Sequence, residues 1–451
     1  MSDRRVLVVG TTPDYIAYIH ECYPARALFL TDRSQPVGLA EPTPDEASEI
    51  VCNLLDADGV LGALHEHLDL RRQRLSGIAC YDCEWLTLAA ELAVHFGLPY
   101  SSVESVRLSR DKYLTKKTWA EHGVRCPRVA LVHSAGQALR LSERFGGPVV
   151  LKPLPGSGSE LTFRCHDVYD LAAAYRALTD GLAHRRESPL YRLSPEVSGK
   201  PVLGPSVLAE EFVEGREYSA DFIIDGDNLV LIRVAKKLRS DALPFGTTMA
   251  YVVPARLPGW MNNDALTGTL REAAHALGLT HAICMVDFII SKGETVLLEL
   301  TPRIGGDCLP PLIRKSCGLD TIGLALDFAE GRDTKIPSLR RWTELVGMRL
   351  FSQRSGLLAS VSCENLSDDS RIREIFIKRM PGHEIITPPD DYDSWVLGHV
   401  VFEPEPGASL RKQCNEISEK ISINVEQYHD QKFAWIPDES CRSAQSPGPA
   451  A

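Results

Sequence analysis

Two acids, Asp287 and Glu299, and two lysines, Lys112 and Lys152, have the types and surroundings to handle phosphate and metal chemistry. The acids lie in Met285–Asp307, MVDFIISKGETVLLELTPRIGGD. MVDFII and TVLLEL are apolar and β-branched, and SKGE between them is a turn signal around Gly293. Each acid is six residues from Gly293. Antiparallel pairing about that centre sets them opposite each other, with Cβ atoms roughly 5 Å apart. Strand alternation then places Glu299, Thr301 and Arg303 on one face. Paired carboxylates repel and resist burial unless a cation sits between them. Mg2+ fits, because it binds one or two carboxylates and fills its shell with water and phosphate oxygens. A solvated hairpin carrying stray acids is the plain alternative, and the apolar flanks count against it.

Lys152 lies on an apolar strand in Val149–Phe163 (VVLKPLPGSGSELTF), followed by Gly156, Ser157, Gly158 and Ser159 and then a return strand. Small residues let backbone amides approach an anion, and the lysine supplies a point charge for phosphate. A bland flexible loop reads the same way. The P-loop pattern GxxxxGK[ST] and the dinucleotide pattern GxGxxG are both absent. Ser109–His122 is expected to be a helix with Ser109 as N-cap and Gly123 at its end. Lys112 falls in its first turn, where a cation opposes the helix dipole, so it is either solvated or reaching for an anion.

The remaining positioning elements follow from periodicity. Ser206–Val213 (SVLAEEFV) is a strand ending in acids, then Glu214–Glu217, then strands Tyr218–Ile224 and Leu229–Lys237. Glu210 or Glu211 at that strand end could accept a hydrogen bond from the exocyclic amine of a flat heterocycle. Lys236 and Lys237 read equally as phosphate contacts or as a solvated edge. Ile304–Asp307 is a loop whose amides at Gly305 and Gly306 could hold an oxyanion. Upstream, strands at 5–10, 27–30, 50–54 and 75–80 alternate with helices, which indicates a mostly parallel sheet. Downstream, helices are expected over Asp264–Gly278, Asp320–Gly331 and Leu410–Ile423. Short strands are expected at Trp342–Phe351, Val361, Ile375–Arg379 and Trp395–Glu403. His184–Pro205 reads as a mobile insertion, and Ser440–Ala451 as a disordered tail.

Composition narrows the class. The 49 Lys and Arg against 60 Asp and Glu give a net charge of −11, and no basic stripe with interleaved aromatics points to nucleic acid. The start lacks a signal-peptide apolar region, and no window reaches the roughly 18 apolar residues of a membrane helix. The 12 cysteines are scattered, and the one CxxC, Cys80–Cys83, has no second pair. Free thiols in a reducing cytoplasm are expected.

Taken in order, RDK at 110–112, strand Lys152 with its glycine loop, AEEFVEGRE at 209–217 and D-x11-E-x-T-x-R at 287–303 resemble the ATP-grasp superfamily of carboxylate–amine ligases. The resemblance covers roughly Ser109–Gly331. It implies an α/β fold: an N-terminal parallel α/β domain (1–108), a two-lobed ATP-binding core with a mobile lid (109–205 and 206–335), a small C-terminal α+β subdomain (336–438) and a tail (439–451). It implies ATP and Mg2+ as cofactors. Lys112 and Lys152 would contact the phosphates under the Gly156–Ser159 lid. Glu210, Glu211, Phe212 and Val213 would hold adenine, and Glu217 the ribose. Asp287 and Glu299 would bind Mg2+. The usual Asn of the motif is Thr301 here, whose hydroxyl is a weaker oxygen ligand or leaves the place to water. Arg303, with Gly305 and Gly306, would hold the carboxyl substrate or stabilise the tetrahedral oxyanion formed from its acyl phosphate.

Among such ligases the chain looks most like the L-amino-acid ligases that make dipeptides and the carnosine-synthase-like enzymes. Small carboxylate and amine substrates follow, together with a homodimer and a cytoplasmic location. The competing readings are amino-acid loading onto a carrier protein, a purine-pathway or carboxylase-type ligase, and a non-catalytic nucleotide-binding protein.

Overall fold

The computed structural model describes residues 3–33, 46–191, 207–261 and 263–427. The expected tail and most of the expected insertion lie outside them. The apolar run at the start forms β1 (Asp3–Val9), followed by β2 (Ala27–Asp32), β3 (Glu49–Cys52) and β4 (Gln73–Ala79). They form a parallel sheet in the order β3-β2-β1-β4. It is flanked by α1 (Pro13–Cys22), α2 (Ala57–Arg71) and α3 (Leu86–Phe96), the alternation that a parallel sheet requires.

The expected helix at 109–122 is instead two helices, α4 (Val103–Arg110) and α5 (Lys112–Glu121), broken at Asp111. Asp111 is extended, and its carboxylate accepts from the amides of Tyr113 and Leu114 at 2.8 and 3.0 Å. Asp and Ser are comparable N-caps, but Ser109 spends its hydroxyl on the carbonyl of Ser105, which leaves the cap to Asp111.

A small antiparallel sheet, β5-β8-β6-β7, combines β5 (Val129–Val132), β6 (Val149–Pro153), β7 (Phe163–Cys165) and β8 (Val207–Glu211). Helices α6 (Ala135–Phe145) and α7 (Val168–His184) accompany it. The large sheet has eight strands. It contains β9 (Arg216–Asp225), β10 (Asn228–Arg239), β11 (Thr248–Val253), β12 (His281–Ser291) and β13 (Glu294–Thr301), with α8 (Asn263–Ala276), α9 (Leu309–Cys317) and α10 (Thr321–Ala329). It then runs past residue 335 through β14 (Leu345–Phe351), in the order β13-β12-β9-β10-β11-β14 and on to two further strands. After β15 (Gly356–Ser362) these are β16 (Ile372–Ile377) and, following β17 (Glu384–Ile385), β18 (Val396–Phe402). The C-terminal segment therefore shares one continuous sheet with the strands that carry Asp287 and Glu299.

The last helix, α11 (Leu410–Glu419), is shorter than expected. Residues Ser422–Glu426 form β19, which pairs with β15. Their β-branched Ile421–Val425 run suits a strand better than a helix.

Helices α9 and α10 are buried between the parallel and large sheets, with Ile313, Leu309 and Ile322 packed among Val6, Phe29, Ile223 and Ile232. The approach is close. A Cβ on Gly77 of β4 would lie 2.1 Å from the Ala329 carbonyl of α10. Arg26 pairs with Glu330 at 2.7 Å across the same junction. On the opposite face of the large sheet, α5 and α8 pack through Trp119, Leu266, Leu270 and Phe222. Trp119 is fully buried and donates to the Ala273 carbonyl at 3.0 Å. Trp119→Ala is expected to lower unfolding stability by about 3–5 kcal/mol, and denaturant melts of the purified variant would measure it.

Candidate active site

The hairpin that carries the two acids is β12–β13. Its tip is a two-residue turn at Lys292 and Gly293, with φ of 49° and 86°, the left-handed pair that matches strand twist. Ser291 thus pairs with Glu294, half a residue away from a turn centred on Gly293. Continued regularly, that register would set Asp287 against Leu298. A bulge intervenes, and Asp287 pairs with Glu299 as the sequence predicts. The bulge leaves Leu298 as the extra residue, and its carbonyl accepts from Lys116 Nζ at 2.6 Å.

The two acids line a cavity between the small and large sheets. Lys112, Lys152, Glu210, Glu211, Phe212 and Val213 line it from the α5 and small-sheet side. Glu217, Lys237 and Arg239 line it from the large sheet, and Gly156, Ser157 and Ser159 from the loop. Gly158 belongs to the same loop but not to the lining. The loop takes left-handed backbone at Gly156, Gly158, Ser159 and Leu161. It is tied across the cavity by Ser159 Oγ, which donates to the Gly246 carbonyl at 2.9 Å. Lys112 Nζ donates to the Gly156 carbonyl at 2.7 Å and lies 3.5 Å from Glu299. Lys112 therefore reaches inward rather than into solvent.

Charge in this cavity is organised in pairs. Glu210 is buried between Lys152 at 2.8 Å and Lys116 at 3.0 Å. Burial disfavours its charge, but the two lysines outweigh that and hold its carboxyl below the usual range. Its carboxylate is thus committed to lysines, and Glu211 pairs with Arg128 at 3.0 Å. Sequence reasoning put one of these acids on a heterocycle amine, whereas the structure makes the first a lysine anchor and the second a partner of Arg128.

Lys116 has no exposed side chain, and burial pushes its ammonium down to about 8 against the pull of Glu210. Sequence reasoning missed it. Its spacing of four residues from Lys112 on one helix face was the available signal. Lys237, left open between a phosphate contact and a solvated edge, is buried and bridges Asp287 at 2.7 Å and Glu217 at 2.8 Å. Glu217, placed by resemblance at a ribose, also pairs with Arg239.

These partners bear on metal binding. Lys237 occupies Asp287 Oδ2, while Asp287 Oδ1 is buried without a hydrogen-bond partner. Burial would raise the Glu299 carboxyl, yet Lys112, Lys152, Lys237 and Lys116 together lower it to about 2. An ionised acid beside an orphaned carboxylate oxygen fits a divalent cation. Among the described residues no group of three or more His, Cys, Asp or Glu side chains could hold a metal alone. Phosphate and water oxygens would complete the shell, the usual arrangement for Mg2+. Thr301 ends β13 opposite Met285 and is outside the cavity lining.

Arg303, Gly305 and Gly306 form a second cluster, against the carboxyl ends of the parallel strands. Arg303 Nε contacts Cys83 Sγ at 3.0 Å, and Nη1 donates to the Ile304 carbonyl at 2.7 Å. A Cβ on Gly306 would lie 3.7 Å from Arg303 Nη1 and 3.9 Å from the Tyr15 hydroxyl. Gly305 is there for space, because its Cβ would come 2.6 Å from Arg233, buried in a two-pronged pair with Asp221. Tyr15 and Cys83 were not found from sequence, since only folding brings them to Arg303.

Residues 145–311 match the ATP-grasp domain model. Those residues form an ATP-grasp domain, and enzymes with that domain use ATP and Mg2+. The fold is similar to that of an L-amino acid ligase from Bacillus licheniformis, with a TM-score of 0.73, 17% identity, and coverage of 95% of this chain and 100% of that one. A D-alanine–D-alanine ligase of Ralstonia pickettii is 26% identical over 56% of this chain and 72% of its own length. Human carnosine synthase 1 is 26% identical over 66% of this chain, which spans 36% of that protein. No helix among the described residues is long and apolar enough to cross a membrane.

Ligand linkage tests the metal assignment. Nucleotide with Mg2+ at roughly 100 times its Kd is expected to raise unfolding stability by about 2.7 kcal/mol. The Asp287→Asn/Glu299→Gln double variant is expected to lose the Mg2+-dependent share in thermal melts with ADP. An unchanged Mg2+ dependence would place the ion elsewhere.

Proposed function

We propose that this chain is an ATP-dependent ligase that joins the carboxyl group of an amino acid or other small carboxylate to the amine of an amino acid. The reaction passes through an acyl phosphate and releases ADP and phosphate. One observation carries the reading: cations from the small lobe and acids from the large lobe line one cavity beneath a glycine loop, with Arg303 in a cluster of its own at the parallel sheet. The similarity to dipeptide-forming and carnosine-forming relatives supports the substrate class.

In this reading Asp287 Oδ1 and Glu299 would hold Mg2+, whose charge would offset that of the phosphates. Lys112 and Lys152 hold phosphate oxygens. Lys116 and Glu210 keep Lys152 in place, and the Gly156–Ser159 loop covers the phosphates and excludes water. Phe212 and Val213 flank the base. Arg303 and the amides of Gly305 and Gly306 face the carboxyl group that is activated, and stabilise the oxyanion as the amine adds. The protein supplies position and charge rather than a covalent nucleophile. The division into an N-terminal domain, two ATP-grasp lobes and a C-terminal subdomain belongs to the same proposal, as do a homodimer and a cytoplasmic location.

Incubation with ATP, Mg2+ and pairs of amino acids is expected to yield ADP and phosphate in step with a new amide. Release of AMP and pyrophosphate would reject the mechanism. Glu299→Gln and Lys152→Ala are each expected to lower turnover by about 100-fold or more, on the scale of removing one group that stabilises transition-state charge. Circular dichroism should show the fold intact in both.

A further inference from the structure

Arg233 and Asp221 form an ion pair that has no part in the activity proposed above. Arg233 lies on β10 and Asp221 on β9, and the two are cross-strand partners. Both side chains are shut off from solvent. Arg233 Nε donates to Asp221 Oδ2 at 3.0 Å, and Nη2 donates to Oδ1 at 2.8 Å. Nη1 donates to the Ser219 carbonyl at 3.0 Å and also to the Ser219 hydroxyl. All three guanidinium nitrogens are engaged, so the group has one place to stand.

Stability is a poor reason for such a pair. Stripping two charges of water offsets their attraction, and apolar residues of similar volume serve a core equally well. Its place in the sheet is more informative. Paired positions share a sheet face, and so do positions two residues along. The pairing sets Arg233, Asp221, Met285 and Thr301 in one row across the large sheet. The next row on that face is Ala235, Ser219, Asp287 and Glu299. Arg233 therefore stands one row from the two cavity acids and reaches back to their row through Ser219. Against its other edge lies the loop after β13. A Cβ on Gly305 would come 2.6 Å from Arg233 Nη2 and 3.1 Å from Asp221 Oδ1, so the loop backbone rests on the ion pair. Ile304 and Leu309, on either side of Gly305, are buried, which holds the loop down on that floor.

We infer that Arg233, held by Asp221, is a positioning residue: it sets the height of the Gly305–Gly306 backbone against the row that carries Asp287 and Glu299. This rests on the ligase reading and deepens it, since in that reading the loop amides must meet the oxyanion while the acids meet the nucleotide. Arg233 is sealed beneath the loop, so it acts through the backbone above it. A misplacement of about 1 Å in such groups costs about 100-fold in rate.

The test reads kcat and KM from phosphate release with ATP, Mg2+ and pairs of amino acids. Arg233→Lys empties the place of Nη2, and Gly305→Ala pushes the loop off it. Each is expected to lower kcat by about 10- to 100-fold. KM for ATP should stay within about twofold, and stabilisation by ADP with Mg2+ in thermal melts should equal that of wild type, because neither residue lines the cavity. The two changes together are expected to recover kcat by about fivefold or more over Gly305→Ala alone, since the added methyl group takes the space that the guanidinium leaves. Asp221→Leu/Arg233→Met removes the floor without leaving a buried charge. Its thermal midpoint should match or exceed that of wild type, while its kcat falls as in the single variants. Effects that simply multiply in Arg233→Lys/Gly305→Ala, or a folded apolar variant that keeps kcat within about twofold of wild type, would overturn the assignment. If the apolar variant does not fold, the Arg233→Lys/Gly305→Ala cycle decides alone. Absence of phosphate release by wild type with every pair would instead reject the ligase reading, and this role with it.

Discussion

Charge balance inside a partly dry cleft is the constraint on which this structure depends. Lys112, Lys116, Lys152 and Lys237 stand against Glu210, Glu217, Asp287 and Glu299. The alternation is spread over α5, both sheets and the hairpin. Removing one member of a buried pair leaves the other uncompensated, at a cost of about 3–5 kcal/mol. The lobes are therefore coupled by electrostatics as well as by packing, and their relative position follows from the pairs.

Lys152, Glu210, Glu217, Lys237 and Asp287 are buried and line the cavity, whereas Lys116 is buried behind it. The bulge at Leu298 ties the hairpin to these pairs, since the carbonyl it frees is taken by Lys116, which also holds Glu210. A regular hairpin would have turned Glu299 away from Asp287, and the cavity would have had one acid fewer. The pairs set where charge stands before any ligand arrives, which is how a site avoids reorganisation at the moment of reaction.

The sequence made Asp287, Glu299, Lys112, Lys152, Glu210 and Glu217 legible as site residues, left Lys237 open and hid Lys116. Asp287, Glu299 and Lys152 sit on strongly apolar strands, where a charged residue stands out. Lys116 and Lys237 sit on amphipathic stretches whose charged face reads as solvent. Local capping decided what periodicity could not: Asp111 splits a helix that the pattern runs together. The register of the hairpin came out right although its centre was misplaced, because the bulge restored the offset. Cys83 and Tyr15 gave no local sign of this cluster, since they reach Arg303 only through the docking of the parallel sheet.

That docking separates two kinds of order in the ligase. On the side of Arg303, β4 meets α10 with no room for a single Cβ at Gly77, and Arg26 pins the junction with ion pairs. The space between Arg303 and the turn after β4 is thus fixed by close packing, which does not deform gradually. Across the cavity, the glycine loop is held by a few hydrogen bonds, from Ser159 to the Gly246 carbonyl at 2.9 Å and from Lys112 to the Gly156 carbonyl at 2.7 Å. Such contacts open at far lower cost than a packed core. On the proposed reading, selectivity for the carboxyl substrate would belong on the rigid side. Admission of nucleotide and release of its product would belong to the side held by replaceable hydrogen bonds.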